Sequence, residues 1–284
     1  MKKFIIVIFL AIFLVSCSSK DLDSKKDDKY VKVEDSMSAF DKAKANSKKL
    51  SASEATEINA VTNIENKAQT NEKKNINYTI CIDPGHQRKQ ITTPEPLAPG
   101  SNEKKPGVSS GATGISTKKE EYELNLEVSM ILKGKLEAKG YNVVMTRTTN
   151  DVSLTNIDRA KIGNESNANL VVRIHADSNE SSAVTGFSIL YPSGEYAKGI
   201  EEESKKASEF IEKKMKESTG SLSRGIVPRS DMTGFNWSKV PSVIVEMGFL
   251  SNPNEDRLMS DKNYQDKITN GIIMGVESYL SNSK

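Results

Sequence analysis

From Ile76 to Lys284, short apolar runs alternate with amphipathic helical patterns, and that alternation restricts the fold more than any other feature of the chain. YTICID, YNVVMTR, NLVVRIH, GFSILYP, GIVP and PSVIVEMGF have the length and content of strands. Among the intervening segments, EEYELNLEVSMILKGKLEAKG puts Tyr122, Leu124, Leu126, Val128, Ile131, Leu132 and Leu136 largely on one helical face before a Gly140 stop. AKGIEEESKKASEFIEKKMKES carries a core stripe of Ile200, Ala207, Phe210, Ile211 and Met215. DVSLTNIDRAKIGNES reads as a short helix and NYQDKITNGIIMGVESYL as a closing one. Such alternation predicts a single α/β domain over residues 76–284, with a central, mostly parallel sheet flanked by helices on both faces.

The residues before this domain have another composition. Hydrophobic content is 36% overall, low for a chain packed throughout, and the deficit falls between Ser18 and Asn75, where Lys, Asp, Ser, Asn, Glu and Ala dominate. A stretch of that kind buries too little apolar area to offset the entropy of ordering it, so it reads as a tether, with a short helix permitted around Ser38 to Leu50. As a flexible coil it would span about 40 Å. Ahead of it, MKKFIIVIFLAIFLVSC has two lysines, an apolar core from Phe4 to Val15 and a small-residue site, the pattern of an export signal. That core is shorter than the roughly 20 apolar residues a bilayer span needs. Leu14-Val15-Ser16-Cys17 resembles the lipobox of bacterial lipoproteins, which implies a signal peptide over 1–16, lipidation of Cys17, and a membrane anchor from which residues 17–75 extend. Cys81 would then be the one remaining thiol, read as a small buried hydrophobe, and no internal disulfide supports the fold. A formal net charge of +2, from nearly balanced Lys/Arg and Asp/Glu, provides no field for nucleic acid, and none is expected as a partner.

The chain has two histidines, and each ends an apolar run: His86 in ICIDPGHQ and His175 in VVRIHADS. In open parallel sheets functional groups gather beyond the carboxyl ends of the strands, and Glu246, at the end of PSVIV, falls there too. Singly, each has a plain structural explanation: His86 capping a turn, His175 satisfied in the core, Glu246 paired with Arg173. Together, two neutral imidazoles and a carboxylate suit catalytic zinc, which keeps three protein ligands and one open position. Residue chemistry leaves the third ligand open among Glu246, Glu120, Glu121 and Glu123. GVSSG, residues 107–111, matches the G-x-S-x-G of serine hydrolases, but it follows EKKP rather than an apolar strand, so the nucleophile elbow is missing.

Taken in order, IDPGH, GATG with EYELNL, LTNIDRA, LVVRIHAD, and VPSVIVEMGFLSN with its following Glu-Asp pair resemble the zinc N-acetylmuramoyl-L-alanine amidases, which cut peptidoglycan between muramic acid and the stem peptide. The resemblance runs through nearly all of the domain and implies a single α/β fold with a mixed sheet. It implies zinc held by His86, Glu121 and His175. It makes Glu246 the catalytic carboxylate, which takes a proton from the attacking water and passes it to the departing alanine nitrogen. Arg159 in LTNIDRA matches a family arginine that either contacts substrate carboxylates or organises the fold through buried hydrogen bonds. The expected substrate is peptidoglycan, and the expected location is the wall-facing side of the bacterial cell membrane; a protein activator is left open.

Three features depart from the family pattern. Gln87 stands where glycine is common, Asp177 where asparagine is common, and the segment from Gln87 to Ser110 is long, either as a tolerated surface loop or as a shaping wall of the groove. Two alternatives stand beside the amidase: a zinc peptidase or deacetylase acting elsewhere on cell-wall polymer, and a lipoprotein that binds wall glycan without cutting it. A pure binding module needs neither a metal site nor a free carboxylate, so the presence of all four polar residues favours an enzyme.

Overall fold

The computed structural model describes residues 76–282; the expected signal peptide, Cys17, the 17–75 tether and its permitted short helix lie outside the described residues. In chain order the elements are β1 (Thr79–Pro84), β2 (Glu95–Pro96), β3 (Lys104–Lys105), α1 (Glu121–Ala138), β4 (Asn142–Met145), α2 (Asn156–Glu165), β5 (Leu170–Asp177), β6 (Phe187–Pro192), α3 (Glu201–Thr219), β7 (Ser223–Arg229), α4 (Thr233–Asn236), β8 (Ser242–Phe249), α5 (Pro253–Ser260) and α6 (Lys262–Asn282). Six strands form one sheet in the order β4-β1-β5-β8-β6-β7, and β2 pairs with β3 in a small hairpin. β4, β1, β5 and β8 run parallel; β6 is antiparallel to β8, and β7 is parallel to β6. The sheet is mostly parallel, as the alternation predicts, and mixed, as the resemblance implies.

Strand periodicity divides the sheet into two unlike faces. Ile80 and Ile82 of β1, Leu170, Val172 and Ile174 of β5, and Val243, Val245 and Met247 of β8 join the main core with Leu124, Val128, Leu132 and Leu136 of α1, Ile211 and Met215 of α3, and Ile268, Ile272 and Val276 of α6. The alternate residues face α2 and α4, where Cys81, Ala168 and Val171 make one small cluster and Leu190, Phe235 and Ile244 another. On this second face the strands turn polar toward their carboxyl ends, at Asp83, Arg173, His175 and Glu246. An apolar face anchors the sheet, and the opposite face presents chemistry.

The closing helix packs closely on α3 because two glycines permit it. A Cβ at Gly275 would lie 2.5 Å from the Ile211 Cα, and one at Gly271 would lie 2.7 Å from the Met215 Cα. On α1 the buried stripe is narrower than expected. Leu126 and Ile131 are only partly covered, whereas Glu121, Asn125 and Ser129 are buried beside the leucines. Sequence periodicity also missed α5, in SNPNEDRLMS: Pro253 opens it, and the Asn252 side chain caps it by accepting from the N–H groups of Asn254 and Glu255. Cys81 is fully buried, and that burial pushes its thiol up to about 12, which leaves it unreactive at neutral pH. Among the described residues no helix is long and apolar enough to cross a membrane.

Candidate metal centre

The Asp-Pro-Gly-His turn after β1 is fixed by arginines. His86 takes a left-handed backbone conformation, φ 60°, which few residues other than glycine adopt. Arg147 donates from Nε to the Pro84 carbonyl (2.8 Å) and from NH2 to the Gly85 carbonyl (2.9 Å). Arg159 donates from NH1 to the Pro84 carbonyl (2.7 Å) and from NH2 to the His86 carbonyl (2.9 Å) and to Gln87 Oε1 (2.9 Å). Arg159 NH1 also meets Asp83 Oδ1 at 2.7 Å, while Arg173 Nε meets Asp83 Oδ2 at 2.8 Å. Burial would raise the Asp83 carboxyl, but these two arginines and the Thr146 hydroxyl hold it well below the usual carboxylate range. Arg159 has 2% side-chain exposure and spends these bonds on the turn and on Asp83, while it also lines the cleft over the histidines. Arg173 pairs with Asp83 rather than with Glu246. Arg147 was not singled out from the sequence, because an arginine at a strand end has no signature of its own.

The three ligands implied by the resemblance come together at this turn. Glu121, the first residue of α1, brings Oε1 to 3.2 Å from His86 Nε2 and 3.3 Å from His175 Nδ1. Four carboxylates were open as the third ligand, and the group whose ligand atoms lie within 4.8 Å of one another is His86, Glu121 and His175. Glu120 instead accepts from the Thr113 hydroxyl. The environment suits a cation. His86 Nδ1 lies 3.0 Å from the Ser109 carbonyl oxygen, which can only accept, so Nδ1 carries the proton and Nε2 of the neutral ring is bare. That lone pair faces a carboxylate already receiving N–H groups from Ala112, Asn125 and Ala176. Burial pushes His175 down to about 4, so it is neutral near pH 7, and its Nε2 is buried without a partner. Burial would raise Glu121, but the neighbouring imidazoles of His175 and His86 hold it well below the usual carboxylate range. Gly85 makes the approach possible, since a Cβ there would lie 2.2 Å from His175 Cε1.

Glu246 stands beside this group without belonging to it. It is the register partner of His175, β5 against β8, and no hydrogen bond holds its carboxylate among the described residues. Burial, followed by the negative charges of Glu121 and Asp177, raises it well above the usual range, with Arg229 and Arg173 acting in the opposite direction. His86, His175 and Glu246 line a cleft of about 320 Å³, walled by residues 105–109 on one side and 229–234 on the other.

The first wall is the long segment that departs from the family pattern, and it is built in. Glu95 accepts from the backbone N–H groups of Asn156 and Ile157 at the start of α2, Trp237 Nε1 donates to the Pro96 carbonyl at 3.0 Å, and Leu97, Ala98 and Val108 are buried. Gln87 is fully buried and binds Arg159, Lys89 and Leu154. Ser109 of the GVSSG stretch does reach His86, its Oγ 3.1 Å from Nδ1, but that nitrogen already donates to the Ser109 carbonyl and cannot also take a proton from the hydroxyl. The Glu-Asp pair after VIVEMGFLSN is structural. Asp256 binds the N–H groups of Ser116 and Thr117 in the loop that leads to α1, and Glu255 binds those of Gly186 and Phe249.

Comparison with known proteins gives one consistent result. A family model described as N-acetylmuramoyl-L-alanine amidase matches residues 80–278. The N-acetylmuramoyl-L-alanine amidase LytC of Bacillus subtilis is 30% identical over 211 residues, a match that covers 74% of this chain and 37% of LytC, so the chain spans well under half of that relative's length. The crystal structure of the N-acetylmuramyl-L-alanine amidase Ami1 from Mycobacterium smegmatis superposes with a TM-score of 0.66 at 25% identity, covering 74% of this chain and 99% of Ami1. The CwlD amidase of Clostridioides difficile, solved in complex with the GerS lipoprotein, superposes with a TM-score of 0.58 at 28% identity, covering 72% of this chain and 99% of CwlD.

Proposed function

Because this chain belongs to the N-acetylmuramoyl-L-alanine amidase family, we propose that its residues 76–284 form a zinc amidase that hydrolyses the bond between N-acetylmuramic acid and the L-alanine of the stem peptide in bacterial peptidoglycan. The observation that carries this reading is the convergence of His86, Glu121 and His175 beside a carboxylate, Glu246, that makes no hydrogen bond of its own among the described residues. Zinc in the site supplies a Lewis acid and water that loses its proton near neutral pH.

The protein's own groups do the rest. The Ser109 carbonyl fixes the His86 tautomer, and the N–H groups of Ala112, Asn125 and Ala176 fix the Glu121 carboxylate, so the donors are set before substrate arrives. Glu246 accepts the proton of the attacking water and delivers it to the alanine nitrogen, which leaves poorly unless protonated. Burial prepares it for this by raising its affinity for a proton well above that of an ordinary carboxylate.

The lipobox-like LVSC supports export, lipidation of Cys17 and anchoring at the outer face of the cell membrane, with residues 17–75 as the tether toward the wall. The complex of the related CwlD amidase with a lipoprotein supports a search for a protein activator.

The test is mass spectrometry of the products when the full chain is incubated with purified peptidoglycan, with chelator, and with zinc restored. Release of intact stem peptides carrying a free alanine amine, lost with chelator and regained with zinc, is the expected result. Cleavage within the peptide, or loss of acetyl groups, would make the protein a peptidase or deacetylase; binding without cleavage would make it an adaptor.

A further inference from the structure

Of the arginines that border the cleft among the described residues, two are committed and one is available. Arg159 and Arg173 have side-chain exposures of 2% and 7% and converge on Asp83. Arg229, at the end of β7, is 38% exposed and borders both the cleft over the histidines and the adjoining hollow lined by Asp177, Ser188 and Phe249; Glu246 lies at the boundary of the two. Its guanidinium is aimed by Asp231, which accepts from Nε at 2.8 Å and from NH2 at 3.0 Å. A guanidinium has two edges that can each receive a carboxylate with paired N–H bonds. Asp231 occupies the Nε/NH2 edge, and the NH1/NH2 edge remains. The fork is therefore aimed by Asp231 and still able to bind an anion.

The chemistry of the substrate says which anion. In the intact polymer the lactoyl carboxyl is consumed in the amide and the sugars are neutral, so negative charge near the scissile bond lies on the peptide. The acidic residue that follows alanine is joined through its side-chain carboxyl, leaving its α-carboxyl either free or amidated. We propose that Arg229, aimed by Asp231, binds this free carboxylate on the leaving-peptide side and thereby selects stem peptides that are not amidated at that position. The assignment rests on the amidase reading. It places the peptide along the β7 wall, and it explains why an exposed cation at the cleft is held by a buttressing carboxylate instead of being left mobile.

The experiment compares paired ligands on the zinc-loaded full chain: the dipeptide of alanine and the γ-linked acid with its amidated counterpart by calorimetry, and the corresponding muropeptides by kcat/KM. The unmodified protein should favour the acid form by about 10- to 100-fold, carried mainly by KM, the range expected for charged paired hydrogen bonds. Arg229→Gln should bring the two forms together with zinc content unchanged, and Arg229→Lys should restore part of the preference. A preference that survives Arg229→Gln, or an equal loss on both forms, overturns the proposal. Arg229-dependent binding of the acid dipeptide without cleavage of either muropeptide would retain the subsite and remove the amidase. Cleavage of both forms alike would retain the amidase and remove the subsite, and neither binding nor cleavage would remove both.

Discussion

His175 and Glu246 are register partners on adjacent parallel strands, so their side chains point to the same side of the sheet. His175 reaches back over Gly85 to Glu121, while Glu246 is left facing the cleft. The strand pairing thus separates a histidine with a ligand's surroundings from a carboxylate with a proton carrier's. On this division Glu246→Gln, which keeps size and removes the titratable oxygen, should lower kcat by about 10²- to 10⁴-fold with zinc stoichiometry near one. Loss of zinc together with activity would make Glu246 a ligand and overturn the division.

A close approach of backbone to ring makes the second prediction. The Cβ of a Gly85→Ala variant would overlap the His175 imidazole, 2.2 Å from Cε1 and 2.3 Å from Nε2. The ring must move, and with it the Nδ1 position beside Glu121. Zinc affinity, measured by competition with a chromophoric chelator, should fall by at least 10-fold, with the circular dichroism spectrum unchanged. An alanine variant that binds zinc as tightly as the natural chain would show that this packing does not position His175.

Much of this was legible in the sequence because it depends on spacing along one strand or at one strand end. His86, His175 and Glu246 each end an apolar run, and strand periodicity with parallel pairing is enough to bring such ends together. Glu121 was different. It is adjacent to Glu120 and close to Glu123 in the same helix start, and nothing in its local pattern distinguishes it. Its selection comes from residues far away in the chain, through the Ala176 N–H and the fastening of the 116–117 turn by Asp256. The clamp of Arg147 on the histidine turn was illegible for the same reason, since a carbonyl acceptor leaves no mark on the sequence, whereas buried hydrogen bonds from Arg159 were one of the two readings its motif offered.

Asp83 carries the third prediction. It is 1% exposed and shared by Arg159 and Arg173, so Asp83→Asn would leave buried positive charge without compensation. Breaking a buried pair in this way costs about 3–5 kcal/mol. Its folded-state pKa lies below the unfolded value of about 4, so the stabilisation is fully present above that pH and is lost as pH falls below it toward the depressed folded value. Urea midpoints of the natural chain should therefore drop on going from pH 5 to pH 3, and the Asn variant should show a smaller drop from a lower starting point. Parallel curves for the two proteins would remove Asp83 as the source.

The long segment that walls the cleft should control the metal from a distance. Glu95 receives the Asn156 and Ile157 N–H groups, so it caps α2 with a charge at the positive end of the helix while holding the segment in place. Further along the same segment, Ser109 supplies the carbonyl that orients His86. Glu95→Ala leaves the Thr155 cap of α2 in place but removes the charged acceptor of two N–H groups, at a cost of about 1.5–3 kcal/mol, and frees the segment from α2. If the wall is needed to hold Ser109 against His86, zinc affinity should fall by roughly 10-fold although Glu95 touches neither histidine. A control, Glu103→Ala, should leave affinity unchanged, because Glu103 pairs with Lys105 at the surface of the same segment and binds nothing on α2. Equal affinity in the natural chain and Glu95→Ala, measured by chelator competition, would show that residues 105–109 hold their position without the α2 contact and that the wall acts on substrate alone.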